Sequence, residues 1–376
     1  MFTLYGALAA LSLAVLLAVS FLTLRKRGAG YEAFIRLAVL AIPLAFLGSR
    51  ITFCLSNLAY YLETIGDPAL MLKVWEGGAS MTGAMIGVIL AALLAAKWSK
   101  LPAGTMLDAV AFGMPAALVI ERLAEPLCEM GWGKYLQSPA FNFMADLTQG
   151  LHPVFAYEAI VAAVIGIAMI VYFRKHKATG GDALGFFLVL YGCSQTVLES
   201  LRNDGHMKVI HFVRINQVAA IVMAAAVLII WGIRCFKRDG KRESLVSWLT
   251  AVVCIGFGVV QEFAADGDEN PYFSLTLVSG LLAAALVIVC VAWFFSWKKH
   301  GKPAAAIPCV AVAAALALLV ERTVDTGDHR LFFVYGIMAA NLYIIGHMAF
   351  ALRTRAEQLR KAHLADKYHL DPPLTK

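Results

Sequence analysis

The chain has 376 residues, of which 60% are hydrophobic and only 15% charged, with a mean hydropathy of +0.73. Such a composition excludes a water-soluble core protein. The net charge of +7 would suit a nucleic-acid binder if it lay on one face. Instead it sits in short basic turns between apolar runs, so we expect a membrane partner and no nucleic acid.

Apolar runs of membrane-spanning length fall near 4–24, 35–56, 82–97, 106–120, 155–173, 183–201, 211–233, 246–263, 273–297, 303–320 and 330–352. Basic clusters at Arg25 to Arg27, Lys97/Lys100, Arg174 to Lys177, Arg234 to Arg242, Lys298 to Lys302 and Arg353 to Lys361 lie on alternate loops. The opposite loops carry acid, as in Glu262 to Glu269 and Asp325/Asp328. About eleven spans, with the N-terminus outside and the C-terminus cytoplasmic, satisfy every cluster. The expected fold class is therefore all-α, a polytopic transmembrane helical bundle.

The first span lacks a basic stretch before it and reads as a retained helix rather than a cleaved signal. In the second, Gly48-Ser49-Arg50 places a guanidinium at membrane depth, where an arginine is costly unless it binds a ligand or a partner carboxylate. The next outer loop runs into Trp75-Glu76-Gly77-Gly78-Ala79-Ser80-Met81-Thr82-Gly83-Ala84-Met85-Ile86-Gly87. Its glycines permit close helix contact or approach of backbone to a headgroup. The fourth span ends in Glu121-Arg122-Leu123-Ala124-Glu125-Pro126-Leu127-Cys128-Glu129. Its carboxylates would form one stripe if the helix continued, and Pro126 argues that it does not.

After a polar outer loop, His152-Pro153 opens the fifth span, with Tyr157-Glu158 in its first turns. The sixth carries Tyr191, Gln195, Glu199 and Arg202 within about 80° on one helix face. A polar face inside a membrane must turn to a protein interior or a wet cavity; a seam that glues helices together is the alternative reading of any single residue. His211, Arg214 and Asn216-Gln217 open the seventh span. Seven cysteines, mostly within apolar runs and without a CxxC pair, suggest neither a disulfide framework nor a zinc site.

Taken together, the glycine-rich entry to the third span, the Arg122 segment, His152-Pro-x-x-x-Tyr157-Glu158 and Tyr191-Gly192 followed by Glu199 and Arg202 resemble the prolipoprotein diacylglyceryl transferase family. The resemblance covers about residues 1–240. It implies a seven-span transferase-like core over 1–243; outside that core, the apolar runs predict two additional hairpins over 244–353, and the charge predicts a basic cytoplasmic tail over 354–376. The hairpins resemble spans six and seven, since acidic turns after Glu199, Glu262 and Glu321 each lead into aromatic residues, a pattern that suggests duplication.

The resemblance implies transfer of diacylglyceryl from phosphatidylglycerol, or a related anionic phospholipid, to the lipobox cysteine of a prelipoprotein signal peptide. No cofactor or metal is implied, and the location is a bacterial cytoplasmic membrane. Carried over residue by residue, the catalytic set is His152, Glu199, Tyr191, Thr82 and Gln195. The substrate-binding set is Arg122, Glu125, Arg202, Tyr157, Glu158, Arg50 and Arg214. Three of these depart from the family pattern. Thr82 stands where the family has an essential histidine, Gln195 where it has an essential arginine, and Glu125 where it has an asparagine. A catalytically degenerate paralogue that binds lipid or lipoprotein, or serves as a scaffold, is the second reading. A transporter is a third, without the pair of broken helices that would mark a midplane site.

Overall fold

α1 (Leu4–Lys26) and α2 (Tyr31–Ser56) form the first hairpin of the computed structural model. The structure describes residues 3–74, 77–133, 135, 147–175, 180–203, 209–210 and 213–239. α3 (Met81–Trp98), α4 (Ala103–Ala124), α5 (Val154–Lys175), α6 (Asp182–Leu201) and α7 (Ile215–Asp239) follow. The third and fourth helices are longer than the apolar runs at 82–97 and 106–120, and α4 continues through Glu121 and Arg122 to Ala124. Ser80 caps α3 by accepting from the Gly83 amide at 3.3 Å.

Five of these elements are long and apolar enough to cross a membrane. In α6 the strongly apolar part is shorter, Asp182–Gly192, and the rest carries the polar face. The seventh helix begins at Ile215 rather than 211. A two-residue antiparallel ladder, β1 (Val209–Ile210) with β2 (Val213–Arg214), occupies its expected first turn, where β-branched residues favour extended backbone. The expected spans from residue 246 onward, the 244–353 hairpins and the tail lie outside the described residues.

The bundle is built around α4, which packs against α1, α3, α5 and α6. Over half of its apolar window is buried (56%), against 22% for α1. Met106, Met114 and Leu118 are almost wholly enclosed along it. By contrast Val39, Phe46, Ile51, Ile160, Val164, Ile167 and Val171 on α2 and α5 are exposed. Large apolar side chains on an outer face are stable in lipid and costly in water, as a spanning bundle requires.

The α2–α3 seam depends on small residues. A Cβ at Gly48 would lie 2.5 Å from the Gly83 carbonyl oxygen, and one at Gly87 would overlap the backbone of Leu44. Gly83 and Gly87, four apart, thus let two helix backbones meet directly. At the other end of the bundle, Asp108 of α4 is fully buried. It accepts from Arg27 at 3.0 Å and from the amide of Ala183, in the first turn of α6, at 2.8 Å.

Candidate functional site

The site is organised where α4 stops. Pro126 cannot continue the hydrogen-bond ladder, and the chain turns through a tight 3-10 segment, Glu125–Cys128, into a left-handed Glu129 (φ 57°). The acidic stripe is broken there: Glu121 and Glu125 are buried, while Glu129 is exposed. Gly131 follows with φ +83°, and a Cβ on it would lie 2.7 Å from both a Glu125 oxygen and Phe155. Only glycine suits both that backbone and that space.

From Gly131 to Gly133 the chain threads between the start of α5 and the end of α6. The Phe155 amide donates to the Gly131 carbonyl at 2.9 Å, Gly133 to His152 at 2.7 Å, and Asn203 to Trp132 at 3.0 Å. Gly133 also bridges to Arg202. These bonds draw the ends of three helices to one point.

Four side chains meet there in a closed, alternating circuit. Arg122 pairs with Glu125 through a short contact and lies 3.0 Å from Glu158. Arg202 pairs with Glu125 at 2.6 Å and with Glu158 at 2.8 Å. All four are buried, at 2–5% exposure. Such a cluster is tolerated only because each ion finds more than one opposite partner. The second guanidinium nitrogen of Arg122 also donates to the Tyr191 hydroxyl at 3.2 Å, and the Tyr191 ring stacks on Phe187. Two further carboxylates adjoin: Glu121, 3.8 Å from Arg122, and Glu199, which accepts from Asn216 of α7 at 3.0 Å.

The contacts thus unite Arg122, Glu125, Glu158, Tyr191 and Arg202, with Glu199 beside them. Arg202 pairs with Glu125 and Glu158, one turn away from the Glu199 that its own helix offers. Gln195 is buried on the same helix between Tyr191 and Glu199. His152 and Tyr157 lie at the α5 entrance, with Nδ1 of the histidine 3.4 Å from the tyrosine hydroxyl. Partial burial pushes the His152 pKa below its ordinary value, so the imidazole is neutral near pH 7. Arg214 takes part in the short ladder, where its backbone pairs with Val209.

Thr82 and Arg50 sit elsewhere. Thr82 is buried in the first turn of α3, next to the α2 seam at Gly83. Arg50 directs all five of its N–H groups at backbone carbonyls of the loop before α3: Met71, Gly77, Gly78, Leu70 and Lys73. Two participants escape sequence reasoning as site members. Tyr5 of α1 lies beside Glu121, and its signal is a phenol in the first turn of an otherwise apolar helix. Asn216 stood in a recognised segment, but nothing in the spacing pointed it at Glu199.

A buried arginine–carboxylate circuit joining three helix ends of an apolar bundle defines an integral membrane protein with a charged site at one end of its helices. The profile of the prolipoprotein diacylglyceryl transferase family matches residues 1–233. The chain is 28% identical over 242 residues to a phosphatidylglycerol–prolipoprotein diacylglyceryl transferase of Thermotoga petrophila, covering 58% of this chain and 75% of that protein. It is 31% identical over 209 residues to the protein of the same name from Pasteurella multocida (54% and 75%). With that of Clostridioides difficile it shares 27% over 210 residues (54% and 79%). The chain belongs to the prolipoprotein diacylglyceryl transferase family.

Proposed function

We propose that the protein transfers a diacylglyceryl group from phosphatidylglycerol, or a related anionic phospholipid, to the lipobox cysteine thiol of a prelipoprotein signal peptide. The observation that carries this reading is the circuit of Arg122, Glu125, Arg202 and Glu158, which lies inside the family-matched region. In the reaction the cysteine sulfur attacks the glyceryl carbon that bears the phosphate. The S–C bond forms, the C–O bond breaks, and the electron pair leaves on glycerol phosphate. The thiol proton must go to a base.

Neutral His152 is the base we assign, with a carboxylate such as Glu199 as the alternative. Arg122 and Arg202 supply positive potential where charge develops on the leaving phosphate, and Tyr191 orients Arg122. Glu125 and Glu158 hold the two guanidinium groups in place. Tyr157, beside His152, Arg214, on the ladder before α7, and Arg50, which holds the loop before α3, complete the substrate-binding set. Thr82 and Gln195 occupy catalytic positions of the family without offering a base or a cation.

Around this core we place about eleven spans in a bacterial cytoplasmic membrane, N-terminus outside and C-terminus cytoplasmic. Residues 1–243 form the core, 244–353 two further hairpins and 354–376 a basic tail.

One observation favours a second reading, in which the protein binds lipid or lipoprotein without chemistry: the family's histidine position is a buried threonine. Both readings meet one experiment, incubation of the purified chain with phosphatidylglycerol vesicles and a lipobox peptide, followed by mass spectrometry. The transferase reading expects the peptide to gain one diacylglyceryl group. An unmodified peptide with the wild type, but a modified one with a Thr82→His/Gln195→Arg double variant, would replace it with the binding-only reading.

A further inference from the structure

At the end of the bundle away from the circuit, one carboxylate serves two helices. Asp108, in the second turn of α4 and 0% exposed, receives Arg27 on one oxygen at 3.0 Å and the Ala183 amide on the other at 2.8 Å. α6 has no cap of its own, because Gly181 before it offers no side-chain bond to the orphan amides of the first turn. Asp108 therefore caps α6 from a neighbouring helix. The approach is close: a Cβ on Gly104 of α4 would lie 2.4 Å from the Gly180 Cα.

The same two helices meet again further along. Arg122 of α4 donates to Tyr191 of α6 at 3.2 Å, and Glu125, just past the α4 end, pairs with Arg202 at 2.6 Å. Between these anchors α6 is apolar, from Asp182 to Gly192, and several of its residues there are small (Ala183, Gly185, Gly192). Apolar packing is non-directional, and lipid tails compete with it on equal terms, so it sets the rotation and height of such a helix weakly. A hydrogen bond to a defined amide sets both. A carboxylate that only balanced Arg27 could lie near the surface with it, since that side chain is 22% exposed; full burial is what brings Asp108 to Ala183.

We propose that Asp108 is a positioning residue for the transfer reaction: by capping α6 it fixes the register in which Tyr191 and Arg202 reach Arg122 and Glu125. This role rests on the proposed transfer function. A slip of one residue moves a helix by about 1.5 Å and turns its face by about 100°. Misplacement by about 1 Å can slow a reaction about a hundredfold. Ala183 and Arg202 lie about 28 Å apart along the helix, so the effect is exerted at a distance.

The test is amide hydrogen exchange of the purified full chain in detergent, with transfer to the lipobox peptide measured in parallel. The reporter is the Asn203 amide, bonded to Trp132 at the far end of α6, and the control is the Ser80 amide, bonded to Ser49 across the α2–α3 pair. Asp108→Leu removes the acceptor, while Gly104→Ala keeps it and pushes the Gly180 turn away, so the second variant carries the test if the first does not fold. Asp108→Asn keeps an acceptor for Ala183 and releases Arg27 to water. We expect exchange at Asn203 to rise at least about fivefold in Asp108→Leu and Gly104→Ala, the scale of one net hydrogen bond, with Ser80 unchanged. Transfer should slow at least about tenfold in both, and Asp108→Asn should stay within about twofold of wild type in both readouts. Unchanged exchange at Asn203 in the folded variants overturns the proposal, and so does an equal rise at Ser80, which marks general destabilisation. Asp108→Asn as damaging as Asp108→Leu overturns it in favour of a counter-ion for Arg27. A rise at Asn203 with transfer at the wild-type rate overturns it too, since the site then tolerates the shift. A wild type without transfer removes the proposed reaction, and the exchange pattern still decides whether Asp108 sets the α6 register.

Discussion

Replacing Arg202 by methionine is the sharpest test of the circuit. Methionine keeps the volume and removes the charge. Glu125 and Glu158, at 6% and 0% side-chain exposure, would then share Arg122 alone, each having lost a partner at 2.6 and 2.8 Å. Breaking a buried pair from one side costs about 3–5 kcal/mol, because the remaining carboxylate keeps its desolvation penalty without its counter-ion. Removing one ion of each sign, in an Arg202→Met/Glu125→Gln double variant, restores the balance of Arg122 with Glu158. It should cost less than the single change, with a favourable coupling of about 2–3 kcal/mol between the two substitutions. The assay is loss of helicity by circular dichroism as the purified protein in dodecylmaltoside is titrated with sodium dodecyl sulfate. A single-variant loss under about 1 kcal/mol would refute the reasoning. So would a double variant whose loss equals the sum of its parts, since the four residues would then not act as one circuit.

Three other outcomes are expected. Gly131→Ala should destabilise by about 1–3 kcal/mol in the same titration, through its φ of +83° and the 2.7 Å approach to Glu125 and Phe155; an effect below a few tenths would mean the turn relaxes freely. His152 has a folded-state pKa depressed by burial, so its contribution to stability is fully present above the ordinary histidine value of about 6.5 and is lost as pH falls through the depressed value. Thermal unfolding between pH 5 and 8 should show this acid limb weakened in His152→Ala, and an identical profile would exclude His152 as its source. Reporter fusions at His300 and at Lys376 should both read cytoplasmic, as the alternating basic loops require, and a periplasmic signal at either breaks the eleven-span topology.

Much of the helical plan could be read from composition alone, because period and length are enough to mark an apolar helix. The sixth helix was visible through Tyr191, Gln195, Glu199 and Arg202 on one face, and Pro126 announced the end of α4. Which charge meets which was not readable. Glu199 lies one turn from Arg202 in sequence, yet Arg202 bonds Glu125 and Glu158 from two other helices, because the backbone of Gly131 to Gly133 pulls those helix ends together. Partner choice there is set by tertiary backbone contacts that no helical period encodes. The same limit hid Tyr5, whose role depends on α1 packing beside α4. The Val209–Arg214 ladder was missed because an apolar run of β-branched residues reads equally as the start of a helix.

Arg50 has a consequence for how this chain tolerates change. Every contact it makes with the loop ends on a carbonyl oxygen, which Leu70, Met71 and Lys73 would each supply whatever their side chains were, whereas Gly77 and Gly78 are held to glycine by φ values of +89° and +85°. The shape of that loop is thus recorded at a position outside it, on the end of a helix. The side chains at Leu70 and Met71 can therefore change while the path of the backbone stays fixed. The record itself has no synonym. Lysine carries the charge but offers three donors from a single nitrogen, where the loop needs five spread across a planar fork.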